Sequence, residues 1–119
     1  PKMKYTIYHN TRCRKSREVL EYLKSKSFEV EIIEYLKSPL TISELENLIK
    51  LLGIEPQQLV RTNEVIWKEN FEGSEHSNNQ IISILANNPK LIERPIISNG
   101  KSAIVGRPLE NLIDFLKSH

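Results

Sequence analysis

Tyr5-Thr6-Ile7-Tyr8, then His9-Asn10-Thr11-Arg12-Cys13, then Arg14-Lys15-Ser16-Arg17 is the stretch that decides the fold. Its first four residues are β-formers and read as a strand. The polar run that follows breaks the pattern. From about Cys13 to Lys26 the apolar residues Val19, Leu20 and Leu23 recur at helical spacing. Phe28 to Leu36 reads as a second strand, with Val30, Ile32 and Ile33 supplying bulk. Two strands joined by a helix of this length predict a βαβ unit with parallel strands.

Working outward, Thr41 and Glu44 stand in capping-box spacing, with Leu40 and Leu45 placed as a hydrophobic staple. Leu45, Leu48, Ile49 and Leu52 then form one helical stripe, and Gly53 is placed to end it. Pro56 to about Thr62 reads as a short helix, Glu64 to Asn70 as another, and Gly73 to Asn79 as a loop. Ser77 and Gln80 repeat the capping-box spacing before Ile81, Ile82, Ile84 and Leu85, and Asn88-Pro89 stops that helix. The period then changes. Ile96-Ile97 and Ala103-Ile104-Val105 flank Asn99-Gly100, a hairpin signal. Gly106 breaks the strand and Pro108 suits the start of a helix carrying Leu109, Leu112, Ile113 and Leu116. The order is β-α-β, several helices, then β-β-α. That is the thioredoxin-like plan of an α/β protein: a mixed four-stranded sheet flanked by helices. Residues 1–119 read as a single domain, with a helical insertion at about 41–90.

Composition narrows the function. The 119 residues are 39% apolar and 27% charged, with a formal net charge of +2 and one cysteine. One cysteine excludes an internal disulfide, a CxxC redox pair and cysteine-rich zinc sites. A charge of +2 gives no electrostatic reason to expect nucleic acid as a partner. No apolar run approaches the roughly 20 residues of a membrane span, and no secretory leader pattern is present, so no membrane partner and a cytoplasmic setting are expected.

Cys13 sits where the first strand hands over to the first helix. The helix dipole and unpaired N–H groups there stabilise a thiolate. Arg12, Arg14, Lys15 and Arg17 add positive charge. Such surroundings lower a thiol's pKa and make it nucleophilic, whereas a buried structural cysteine seldom has four flanking cations. Ser16 lies one helical turn on; its hydroxyl can donate to the sulfur or bond an exposed N–H of the first turn. His9, at the strand's end, can support the thiolate by charge or through a hydrogen-bonded network, or can be structural. His76 and His119 read as solvated and uninvolved. No metal-ligand spacing links these residues, so no metal is expected. A low-molecular-weight phosphatase loop needs arginine six residues after the cysteine, where Val19 stands. A thioredoxin dithiol needs a second cysteine where Ser16 stands. A single thiol still works if the second thiol comes from outside.

Three later arginines complete a candidate site. Arg61 follows Leu59-Val60 inside the predicted short helix, Arg94 precedes Pro95, and Arg107 lies between Gly106 and Pro108. In a thioredoxin-like fold the residue before the third strand faces the first helix's N-terminus, and its proline is typically cis. That places Arg94 at the thiol, with Pro95 as the cis candidate. Guanidinium groups gathered there would hold a tetrahedral oxyanion through forked hydrogen bonds.

Tyr8-His-Asn-Thr-Arg-Cys-Arg-Lys-Ser-Arg17, Leu59-Val-Arg-Thr-Asn-Glu64, Leu91-Ile-Glu-Arg-Pro-Ile96 and Val105-Gly-Arg-Pro108 together resemble the glutaredoxin-coupled arsenate reductase family, including its reductase-like branch. The resemblance implies that Cys13 is the nucleophile and that His9 and Ser16 tune it. It implies that Arg61, Arg94 and Arg107 bind the oxyanion, with Asn10 and the N–H groups after Cys13 as an anion cradle. It implies reduction of arsenate to arsenite, with glutathione as co-substrate, glutaredoxin as partner and no bound metal or organic cofactor. Thr11 and Arg14 depart from the family's usual proline and small residue. More distantly the chain resembles Spx-type regulators, which bind the RNA polymerase α subunit but carry a CxxC switch where Ser16 stands here. A monothiol glutathione-dependent oxidoreductase acting on protein disulfides is a third function compatible with one cysteine.

Overall fold

Alternating burial along Lys4–Tyr8, with Tyr5 and Ile7 inward, makes that segment the strand β1 of the computed structural model, which describes residues 3–118. It is followed by α1 (Arg14–Ser25), β2 (Glu29–Ile33), α2 (Ile42–Leu52), α3 (Val65–Asn70), α4 (Asn78–Asn87), β3 (Ile96–Ser98), β4 (Ala103–Val105) and α5 (Leu109–Ser118). Short 3₁₀ turns occupy Pro56–Leu59 and Pro89–Leu91. The chain forms two compact units. One holds the described residues through Ser38 and those from Arg94 on; the other is Pro39–Glu93.

The first unit contains the sheet, ordered β2-β1-β3-β4. β1 runs parallel to β2, with Tyr8 opposite Ile33, and antiparallel to β3, with Ile7 opposite Ile97. β4 closes the edge antiparallel to β3. This is the mixed four-stranded sheet that the element order predicts. Tyr5, Ile7 and Ile97 from the sheet pack with Val19, Leu20 and Leu23 of α1 and Leu112 and Phe115 of α5. Each fully buried side chain of this kind contributes roughly 1.5–3 kcal/mol, so this layer fixes where α1 begins. Gly106 lies inside the unit: a Cβ there would stand 2.7 Å from Ile97 Cδ1.

The edges differ from the sequence reading in two places. The second strand stops at Ile33 rather than Leu36, because the Glu34 carbonyl accepts the Lys37 and Ser38 N–H groups, both at 3.0 Å, and turns the chain. The hairpin loop spans 99–102, between the two strands that the sequence predicts. Asn99 Oδ1 accepts the Lys101 and Ser102 N–H groups at 2.9 and 2.8 Å, which builds a wider turn. The helix at Pro56 is a single 3₁₀ turn ending at Leu59, so Arg61 is not helical. Val60 instead bridges Ile92, with the Arg61 N–H donating to the Leu91 carbonyl at 2.7 Å and the Glu93 N–H to Leu59 at 2.8 Å.

In the second unit, both predicted capping boxes form. Glu44 Oε1 accepts the Thr41 N–H at 2.9 Å, and Gln80 Oε1 accepts the Ser77 N–H at 2.7 Å. Gly53 ends α2 at φ 66°, a left-handed conformation that favours glycine. Buried Leu45, Leu48 and Ile49 of α2 pack toward Ile81, Ile82 and Leu85 of α4. His76 is not the loose, solvated residue that its polar loop predicts. It is half-buried, its Nε2 lies 2.9 Å from the Phe71 carbonyl, and its ring meets Trp67 edge-on at 5.7 Å. His119 lies outside the described residues.

Candidate active site around Cys13

Parallel pairing brings the end of β1 beside the end of β2, where the His9 N–H donates to the Ile33 carbonyl at 2.8 Å. The chain then turns sharply. Asn10 Oδ1 accepts the Arg12 N–H at 3.0 Å, an Asx-turn, and the Asn10 carbonyl accepts the Cys13 N–H at 3.0 Å. The turn delivers Cys13 to the N-cap position of α1, with extended backbone and a half-buried thiol. Its carbonyl already accepts the Arg17 N–H at 3.0 Å, so the helix starts at the sulfur.

Burial by itself would push the Cys13 thiol up. Hydrogen bonds from the Ser16 backbone N–H, the Arg94 guanidinium and the Lys15 backbone N–H, with the charge on Arg94, outweigh burial and hold the thiol below its ordinary value. The unpaired N–H groups of the first helical turn therefore converge on the sulfur. Burial would pull Arg94 down, but its bond to Cys13 and the neighbouring Tyr35 raise it above the usual arginine range, so it stays charged. The peptide bonds Arg94–Pro95 and Arg107–Pro108 are both cis.

Ser16 acts through two atoms. Its N–H reaches the sulfur, while its hydroxyl turns to the strand end: Oγ lies 2.6 Å from His9 Nδ1 and accepts the Asn10 N–H at 3.1 Å. All three residues are buried: Ser16 is 0% exposed, His9 4% and Asn10 9%. Burial lowers the pKa of His9; Glu34 opposes that shift, and Arg17 and Lys24 reinforce it. A neutral His9 can accept a hydrogen bond from the Ser16 hydroxyl at Nδ1, which locks the turn that carries Cys13.

The flanking cations do less than the sequence reading assigns them. Arg14 Nε pairs with Glu18 at 3.4 Å and Lys15 Nζ with the same carboxylate at 3.8 Å. Arg17 Nη1 donates to the Thr11 carbonyl at 2.9 Å and braces the turn. Arg12 is exposed. The cation on the sulfur is Arg94, which arrives from a distant part of the chain. Arg107 is exposed at the start of α5, its carbonyl accepting from Asn111 at 3.2 Å. In the second unit, Arg61 is engaged by carboxylates: Nε is 3.4 Å from Glu64 and Nη1 3.9 Å from Glu93. The structure thus brings Cys13, His9, Asn10, Ser16 and Arg94 together. Tyr35, buried beside Arg94, escapes the sequence reading, which places it in the second strand. Among the described residues no group of three or more His, Cys, Asp or Glu is arranged to hold a metal ion, and no helix is long and apolar enough to cross a membrane.

Known proteins agree with this architecture. The uncharacterized protein YfgD of Escherichia coli K12 is 42% identical over 92% of this chain and 94% of its own length. An arsenate reductase of Haemophilus influenzae is 36% identical over 96% of this chain and its full length. The solved structure of an arsenate reductase from Vibrio cholerae superposes with a TM-score of 0.90 at 36% identity, covering 96% of this chain and 98% of that one. The pattern of the ArsC family matches residues 8–115, nearly the whole described chain, and the chain belongs to that family.

Proposed function

We propose that this protein reduces arsenate to arsenite, with Cys13 as the nucleophile. The observation that carries the reading is the convergence of Arg94 and two first-turn N–H groups on a half-buried sulfur at a helix start. In this reading the Cys13 thiolate attacks arsenic(V). A sulfur–arsenic bond forms and one arsenate oxygen leaves as water. Arg94 and the N–H groups of the first turn stabilise the crowded negative charge, as Arg107 and Arg61 would by their match to the family's oxyanion-binding arginines. Glutathione then bonds to arsenic as a second water leaves, a glutaredoxin thiol takes the glutathione sulfur as a mixed disulfide and leaves the bond's electron pair on arsenic, and water hydrolyses the remaining Cys13–arsenic(III) bond to release arsenite and the Cys13 thiol. Overall two thiols give up two electrons to become a disulfide, and arsenic(V) becomes arsenic(III). His9, Ser16 and Asn10 hold the loop that presents the sulfur. Reduced glutathione fits a cytoplasmic setting. We take 41–90 as a helical insertion in one catalytic domain.

The test is arsenate-dependent NADPH oxidation coupled through glutathione, glutaredoxin and glutathione reductase. Turnover is expected with the reduced protein and is lost in Cys13→Ser. Folded, reduced protein that does not turn over arsenate would sink the reading. Activity on a glutathionylated peptide would then point to a monothiol oxidoreductase, and capture of the RNA polymerase α subunit to a regulator.

A further inference from the structure

Residue 17 grips the active-site turn twice. Its backbone N–H donates to the Cys13 carbonyl at 3.0 Å, as any residue but proline would there. Its side chain does what only a long donor can: Nη1 reaches back six residues and donates to the Thr11 carbonyl at 2.9 Å. Arg14 and Lys15, by contrast, turn to Glu18. A peptide unit is planar and trans, so its C=O and N–H point in opposite directions and fixing one aims the other. The Thr11–Arg12 peptide is held at both ends, by Arg17 on the carbonyl and by Asn10 Oδ1 on the Arg12 N–H at 3.0 Å. The next N–H, that of Cys13, goes to the Asn10 carbonyl at 3.0 Å. The turn is therefore strung between two anchors. Asn10 is the buried one, tied to Ser16 Oγ through its N–H at 3.1 Å. Arg17 is the exposed one, and its planar fork keeps its direction once an N–H is engaged. Cys13 lies between them in the chain.

We propose that Arg17 is a positioning residue for the thiol chemistry: by holding the Thr11 carbonyl it keeps the turn closed and seats the Cys13 sulfur on the N–H groups of the first helical turn. The proposal rests on Cys13 as the reacting thiol and adds to the site a residue that acts through the backbone. Without the brace, the Thr11–Arg12 peptide keeps one tether of two and can rotate. The sulfur then spends part of its time away from those N–H groups. Arg17 also bears on buried His9 through its charge, so the test must separate charge from placement.

The experiment compares the full chain with Arg17→Met, which keeps the apolar stem and removes the donors. Two measurements are read together. The pH midpoint of iodoacetamide alkylation at Cys13 should rise by about 0.3–0.5 unit, a twofold to threefold loss of thiolate below the midpoint. The Arg12 N–H should exchange with solvent about threefold to tenfold faster, because its peptide is freed. Loss of a cation alone draws less hydroxide to that amide and slows exchange, so faster exchange marks placement rather than charge. An unmoved midpoint in folded Arg17→Met overturns the proposal. So does a raised midpoint with Arg12 exchange at the parent's rate or slower. If Arg17→Met does not fold, Arg17→Gln, whose amide is two bonds shorter than the guanidinium reach, is read by the same two outcomes. Neither measurement needs arsenate, so failure of the substrate reading and failure of this one are separate results.

Discussion

Arg94→Ala is the substitution that most directly tests how the thiol is activated. In the folded protein burial pushes Cys13 up, and the Ser16 N–H, Arg94 and the Lys15 N–H bring it below the ordinary thiol value. A hydrogen bond to a charged partner contributes about 1.5–3 kcal/mol. Cys13 is only half-buried, so solvent screens the pair and the lower end applies. At about 1.36 kcal/mol per unit, losing Arg94 should raise the thiol pKa by about one unit. Below that midpoint a one-unit rise cuts the thiolate fraction about tenfold, and alkylation slows in proportion. The assay is the second-order rate of iodoacetamide alkylation from acid to alkaline pH, with circular dichroism to check folding. Arg107→Ala is the control: Arg107 is exposed, and its removal should leave the midpoint in place while weakening arsenate turnover. A midpoint in folded Arg94→Ala that coincides with the parent's would refute the assignment of Arg94 as the cation on the sulfur. A shift of equal size in Arg107→Ala would show that bulk positive charge, rather than placement, sets the thiol.

Ser16→Ala should destabilise the protein by about 1–3 kcal/mol in urea unfolding, because the buried Asn10 N–H and His9 Nδ1 both lose their partner; a change below about 0.5 kcal/mol would contradict the network. Gly106→Ala should cost about 1–3 kcal/mol, since the new Cβ would meet Ile97 Cδ1 at 2.7 Å and Ile97 is 0% exposed. An unchanged or raised Tm would show that the core has room there. The lowered thiol pKa also carries a sign: the stability of the parent over Cys13→Ser should be full above the unfolded thiol's pKa and vanish as pH falls through the lower folded value. Unfolding both proteins under reducing conditions across that window checks it, and an advantage that grows toward acid would be the wrong sign.

Local chemistry made most of the fold legible. The alternation at Tyr5–Tyr8, the stripe Val19-Leu20-Leu23 and the boxes at Thr41 and Ser77 each act within a few residues, so a reader of the chain meets cause and effect together. The misread edges share a different cause. At Leu36 and at Thr62 the sequence continues a pattern, while the backbone finds better partners: the Glu34 carbonyl and the Val60–Ile92 bridge. The first of those competitors is local turn chemistry. The bridge joins residues about thirty positions apart, and periodicity carries no trace of it.

The site divides along the same line. Cys13 is legible as the residue at the helix start, and Ser16 as the residue one turn on, but the hydroxyl that the sequence aims at the sulfur or at a first-turn N–H meets His9 Nδ1 and the Asn10 N–H instead. Charge count misled at this point, because Arg14, Lys15 and Arg17 look equivalent on paper. Their side chains are spent on Glu18 and on the Thr11 carbonyl, each within one or two turns, whereas Arg94 is placed at the sulfur by the sheet. Arg94 was legible only through the order of strands and the proline after it. Tyr35 was legible through neither. It follows Ile32, Ile33 and Glu34 and reads as continuing strand, whereas the chain turns at Glu34 and Tyr35 is buried beyond the end of β2. A sequence reading finds groups that act on the sulfur through one helix turn or through strand order. A group that acts through another side chain leaves no periodic signal, and for such groups cause and effect become adjacent only in the folded protein.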